Sequence, residues 1–249
     1  MAAKIKNYNV TFVHVPKTGG CWAEIAMRNA GLGLKRLGHE HGNLDWLLHE
    51  EITLDGLVPF RLAKKWVRAR HRLKFPVVPV KRFCVVRHPL KWYESFWRYK
   101  MDLDWEDWGK ENSAAYWHPN SVLNDLGSSD FNEFMWNVLR KRPGYVTELY
   151  NSYTKGGMNF VGRTENLAND VVQILNQLNI VFDEDKFRAT PRFNESKTSK
   201  SVANWDPELR ELVMRMELPS LVAFDYLTDE EKSDFGVVSK LPSHQFLVK

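Results

Sequence analysis

Lys17-Thr18-Gly19-Gly20 puts a cation, a hydroxyl and two glycines directly after the apolar run Val10-Thr11-Phe12-Val13-His14-Val15-Pro16, and Cys21 and Trp22 continue the stretch. Such a set can hold a phosphate. Glycines let backbone amides approach an anion, a helix that follows adds the positive end of its dipole, and a lysine adds a full charge. In the nucleoside triphosphate loop G-x-x-x-x-G-K-[ST] the lysine follows the second glycine, and a hydroxyl for magnesium comes next. Here Lys17 precedes both glycines. The pattern fits a phosphate cradle without a magnesium-bound triphosphate; the plainer alternative is a strand–turn–helix link whose glycines only permit the turn. Val86-Arg87-His88-Pro89 with Ser95 forms a second set. An arginine ending a strand offers a fork of donors, and a serine about 9 Å along the following helix adds a hydroxyl. Together they can grip one phosphate from two sides; the alternative is a surface arginine and a helix serine with no shared ligand. A magnesium-dependent phosphotransferase would more often place an aspartate at such a strand end.

These residues need elements to position them. Residues 9–15 read as a strand and 20–30 as a helix that Gly31 and Gly33 end. A short buried strand ends at Arg87, and Pro89 opens a helix. Residues 159–167 read as a strand turning into a helix that runs to about Leu178. Ser128-Ser129-Asp130 predicts a cap for a helix over 131–141, and Asp206-Pro207 one for Glu208–Glu217. Ile180-Val181-Phe182-Asp183 mimics an apolar strand ending in a metal-binding acid, but Asp183-Glu184-Asp185 reads better as an exposed acidic turn. A helix is expected at 44–50. The basic run at 61–74 reads as a solvated helix face in preference to a polyanion track. Trp97 is expected in the core; the tryptophans of 105–117, which lack periodicity, are core or form a lid stacked on an acceptor. The last ~20 residues show no periodicity and are expected to be a surface tail.

A chain of 249 residues, 43% apolar and with ten tryptophans, is large enough for one large globular α/β domain or at most two small ones. A net charge of +4 suits an anionic cofactor or substrate and is too small to argue for nucleic acid. Cys21 and Cys84 make no disulfide framework. Neither a signal peptide nor a membrane span is readable, so a cytoplasmic address is expected.

Pro16-Lys17-Thr18-Gly19-Gly20, Val86-Arg87-His88-Pro89 with Ser95, and Gly162-Arg163-Thr164-Glu165-Asn166-Leu167 stand in an order that resembles the sulfotransferase superfamily. Those enzymes use 3′-phosphoadenosine 5′-phosphosulfate (PAPS). The ending, Asn194-x-Ser196, Pro207-Glu208-Leu209 and Phe224-Asp225-Tyr226, is similar to the carbohydrate branch that includes heparan sulfate 2-O-sulfotransferase. The resemblance spans roughly residues 10–227. It implies a single three-layer, P-loop-like domain with a mainly parallel sheet flanked by helices. It also implies that Pro16, Lys17, Thr18, Gly19, Gly20, Cys21 and Trp22 form the 5′-phosphosulfate loop, with Lys17 near the oxygen bridging to the sulfuryl group. Arg87 and Ser95 would hold the 3′-phosphate, helped by Lys197, Ser199 and Lys200, and the turn beginning at Arg163 would lie near the adenine. Cys21 stands where many members carry a hydroxyl, and Thr164 replaces a frequent aromatic.

Sulfuryl transfer requires a base for the acceptor hydroxyl, in-line placement, and stabilisation of charge on the leaving phosphate oxygen. Lys17 meets the last need. Related carbohydrate enzymes carry a catalytic histidine where His39-Glu40-His41 stands, so the resemblance implies His41 or His39 as base, with Glu40 behind them. Zinc is not expected, because ligand spacing is missing. His88 is expected to serve structure or cofactor positioning. Two other functions stay open: a metal-dependent P-loop kinase, and a nucleotide-binding module without catalysis. A saccharide or another hydroxyl compound would be the acceptor, and the oligomeric state is not readable.

Overall fold

Short runs bounded by turns, three of them rich in valine and phenylalanine, build one sheet, in a computed structural model that describes residues 2–37, 80–105, 119–155, 157–192 and 202–237. His39, Glu40, His41, Lys197, Ser199 and Lys200 lie outside the described residues, as do the expected helix at 44–50, the basic run at 61–74, Trp108 and Trp117. The described residues divide into two compact units, one comprising those up to 86 with 152–191, the other 87–151 with 192–237.

The first unit holds the sheet. Its strands are β1 (Ala2–Ile5), β2 (Val10–Val13), β3 (Leu34–Leu37), β4 (Lys81–Val86) and β5 (Phe160–Arg163), in the order β3-β1-β2-β4-β5. β2, β4 and β5 run parallel, with Val10 opposite Lys81 and Phe83 opposite Phe160. β1 is antiparallel to both β2 and β3. The sheet is therefore mixed, which corrects the expectation of a mainly parallel one. The reason is the hairpin at the start of the chain: Asn7 takes a left-handed φ of 67°, and the turn folds β1 back along β2. Among the described residues, three α-helices accompany the sheet: α1 (Gly20–Asn29), α5 (Leu167–Gln177) and α6 (Glu184–Arg188). Residues 180–183 form no strand, and Asp183 caps α6 by accepting from the Lys186 amide at 3.0 Å, so Glu184 and Asp185 form the first turn of a helix where an exposed acidic turn was expected.

The second unit is helical: α2 (Pro89–Asp102), a 3₁₀ helix at Pro119–Leu126, α3 (Phe131–Lys141), α4 (Tyr145–Thr154, which begins in this unit), α7 (Pro207–Met216), α8 (Leu218–Ala223) and α9 (Asp229–Asp234). The expected caps are present: the Asp130 carboxylate accepts from the Glu133 amide at 2.8 Å and the Asp206 carboxylate from the Leu209 amide at 3.0 Å. Thr228 and Glu231 form a capping box, so the terminal stretch expected to lack pattern starts with an exposed, capped turn of helix. Trp92 stacks on Phe96 (5.3 Å), Trp97 meets Phe131 edge-on (5.4 Å), and Trp105 packs against Phe134 (5.7 Å). All three tryptophans are buried, and Trp105 belongs to this aromatic core, not to a lid.

Candidate functional site

Parallel pairing sets the carboxyl ends of β2, β4 and β5 side by side, since Val13 lies opposite Cys84 and Val86 opposite Arg163. Open α/β sheets generally place ligands outside such ends. β2 stops at Val13, and residues 16–19 turn into α1. Lys17 has a φ of 64° and Gly19 one of 81°; two left-handed residues so close together reverse the chain sharply. Gly19 caps α1 without a side-chain acceptor, and the first turn of the helix carries no acid. An anion would therefore meet a helix end that no first-turn carboxylate neutralises.

Each loop residue has a distinct placement. Pro16 is buried and Lys17 half-buried. Thr18 is 1% exposed, and its hydroxyl donates to the Val15 carbonyl at 2.9 Å, so its side chain tightens the turn from within. Gly20 is a point of close approach: a Cβ there would lie 2.1 Å from His14 Cδ2. Cys21 is exposed at the start of α1. The Trp22 side chain points into the core, edge-on to Phe187 (5.4 Å) with its indole N–H donating to the Thr190 carbonyl at 3.3 Å. What Thr18 and Trp22 could offer an anion is thus their main chain.

The third strand end closes onto this loop. The Thr164 hydroxyl lies 2.8 Å from the Thr18 carbonyl and 2.9 Å from the Val86 carbonyl, and its single proton can serve one of them at a time. One side chain after β5 thereby ties the loop after β2 to the end of β4. Arg163 is half-buried, and its amide donates to Asp170 at 2.6 Å; Asp170 also accepts from the Asn166 side chain at 2.7 Å. Gly162 fits because Asp170 Cβ would stand 3.0 Å from any Cβ added there. Thr164→Val keeps the shape and removes the tie. The expected result is a loss of about 1–2 kcal/mol in urea unfolding, the range for a buried hydrogen bond and its unpaired carbonyl. Unchanged stability would show that the hydroxyl does not fasten the loop.

In the second unit, Arg87 directly precedes α2 and is half-buried. The Tyr150 hydroxyl of α4 donates to the Arg87 carbonyl at 2.6 Å and accepts from the Arg87 amide at 3.0 Å. His88 caps α2, its Nδ1 accepting from the Leu90 amide at 3.2 Å, and its ring meets Tyr226 edge-on at 5.1 Å. That is a structural role, one of the two expected for it. Ser95 is half-buried on α2, beside Glu94, which pairs with Lys91 at 3.0 Å and accepts from the Trp205 indole at 3.0 Å.

Sequence reasoning singled out the loop, Arg87 and Ser95 as candidates. It missed His14 behind Gly20, Tyr150 behind Arg87, and the fastening by Thr164, which it noted only as a departure from a pattern. A threonine directly after a strand end was the available signal for the last. Among the described residues, no group of three or more His, Cys, Asp or Glu side chains is placed to hold a metal ion, and no helix is long and apolar enough to cross a membrane. In comparisons with known proteins no family model matches the chain, and no curated protein or solved structure matches it either.

Proposed function

We propose that the protein is a PAPS-dependent sulfotransferase of P-loop-like, three-layer architecture, moving a sulfuryl group to a hydroxyl on a saccharide or a small molecule. The observation that carries this reading is the turn at 16–19. Left-handed Lys17 and Gly19 lead there into a helix with neither a side-chain cap nor a first-turn acid, at the carboxyl end of a parallel strand. In this reading the first-turn amides of α1 hold the 5′-phosphate, and Lys17 neutralises the phosphate oxygen as it leaves. Arg87 and Ser95 hold the 3′-phosphate, helped by Lys197, Ser199 and Lys200, and Arg163 lies by the adenine. Those assignments follow the motifs. His41 or His39 takes the proton of the acceptor hydroxyl; its oxygen bonds to sulfur, the bond from sulfur to the bridging oxygen breaks, and 3′-phosphoadenosine 5′-phosphate (PAP) leaves with the electron pair.

Calorimetric titration with PAP tests the reading. Wild type is expected to bind, and Lys17→Ala and Arg87→Ala each to lose on the order of 1.5–3 kcal/mol, the range for a charged hydrogen bond. ATP is titrated alongside with magnesium. Absence of PAP binding to wild type would overturn the proposal, and magnesium-dependent ATP turnover would move the assignment to a kinase.

A further inference from the structure

Arg87 is the residue through which the proposed reading holds a 3′-phosphate, and its backbone is fastened in an unusual way. Tyr150 gives its proton to the Arg87 carbonyl and takes one from the Arg87 amide, so a single hydroxyl satisfies both polar groups of one residue. Such a closed pair fixes the peptide planes on both sides of the Cα, and with them the direction in which the side chain leaves. The tyrosine is itself held: it is 1% exposed, and its ring meets Phe224 edge-on at 5.7 Å. Two residues on, Tyr226 packs against His88, which caps the helix carrying Ser95. The segment 224–226 thus supports the clamp on Arg87 through Phe224 and the following helix cap through Tyr226.

We infer that Tyr150 is a positioning residue that aims the Arg87 guanidinium at the 3′-phosphate of the nucleotide, and so sets the preference for a 3′,5′-bisphosphate over a 5′-monophosphate. This rests on the proposed function. A long side chain on a loosely held backbone spreads its charge over many orientations; fixing the backbone leaves fewer to lose on binding. In this reading Tyr150 acts through the Arg87 backbone, so its loss weakens the 3′-phosphate contact alone.

The test compares affinities for PAP and for AMP, by calorimetry on the full chain. Wild type is expected to prefer PAP, Arg87→Ala to abolish the preference, and Tyr150→Phe to cut it about tenfold, as for one well-made hydrogen bond, while AMP binding stays within about twofold. A purely structural role would lower both affinities together and leave the ratio unchanged. An unchanged ratio in Tyr150→Phe, with Arg87→Ala still abolishing it, overturns this inference and leaves the proposed function standing. Wild type without PAP binding, or Arg87→Ala with the preference intact, overturns the nucleotide reading itself. If Tyr150→Phe does not fold, Phe224→Leu keeps the hydroxyl and loosens the ring beneath it. It is expected to lower the same ratio about threefold, as imperfect repacking shifts the clamp, and an unchanged ratio again overturns the inference.

Discussion

Glu217→Ala is expected to cost about 3–5 kcal/mol of stability, because it strips the acceptor from four buried or half-buried donors at once. Glu217 is fully buried between α7 and α8. One carboxylate oxygen accepts from the Tyr93 hydroxyl at 2.7 Å and the Val146 amide at 3.1 Å. The other accepts from the Thr147 amide and the Thr147 hydroxyl, both at 2.7 Å. The glutamate thus caps α4 from a distant point in the chain and ties it to α2 through Tyr93. Each donor left dry costs about 1–3 kcal/mol, and relaxation keeps the sum below four full penalties. A urea-derived loss under about 1 kcal/mol would show that water replaces the carboxylate without difficulty.

The same residue sets a pH dependence. Burial pushes the Glu217 carboxyl above the usual glutamate range, and the four donors pull it only part of the way back. Burial and the neighbouring carboxylate likewise keep the Tyr93 hydroxyl protonated well above the usual tyrosine range. A carboxyl with a raised folded-state pKa binds its proton more tightly folded than unfolded. Its contribution is therefore complete below the ordinary glutamate range and is lost as pH rises through the raised value. The Tyr93 and Thr147 hydroxyls can turn to accept from the protonated form. Glu217→Gln, which cannot ionise, is expected to gain on wild type as pH rises through that window; a difference flat with pH would contradict the assignment.

Gly20→Ala is the second large effect. The new methyl carbon would fall 2.1 Å from His14 Cδ2 and 2.6 Å from its Nε2, far inside contact distance. His14 is 5% exposed, and its ring lies nearly parallel to that of Phe12, so it has little room to move. Either the ring or the start of α1 must shift, and overpacking of this kind costs about 1–3 kcal/mol. Because the displaced element carries the candidate anion loop, the proposed function predicts that PAP affinity falls with stability. His14→Ala should restore part of both in the double variant, since it removes the atoms struck. Additive losses in that cycle would place the damage elsewhere.

These two residues also show what a sequence can disclose. Gly20 stood out as a turn glycine, but the imidazole that excludes a side chain there came from the preceding strand end, and only folding reveals such an approach. Glu217 carried no signal at all: its donors lie at 93, 146 and 147, and a glutamate ending an amphipathic helix looks solvated. By contrast the starts of α2, α3 and α7 were legible, because Pro89, Asp130 and Asp206 act within a few residues of themselves. The mixed sheet was hidden for a related reason. β1 reads Ala2-Ala3-Lys4-Ile5, with three residues of types that strands disfavour, and β3 reads Leu34-Lys35-Arg36-Leu37, without alternation. Their place comes from pairing with each other and with β2. The parallel strands, rich in valine and phenylalanine, announced themselves.

At Lys17 the backbone is of a kind that glycine adopts freely, whereas any residue with a Cβ gives up on the order of 1 kcal/mol there. The steric requirement and the residue present pull in opposite directions within a loop where two glycines already stand next door. Thermostability alone would select the smaller residue at 17, so a variant library sorted only for resistance to heating would tend to discard this ammonium. Robustness and the proposed phosphate contact are opposed at a single φ angle.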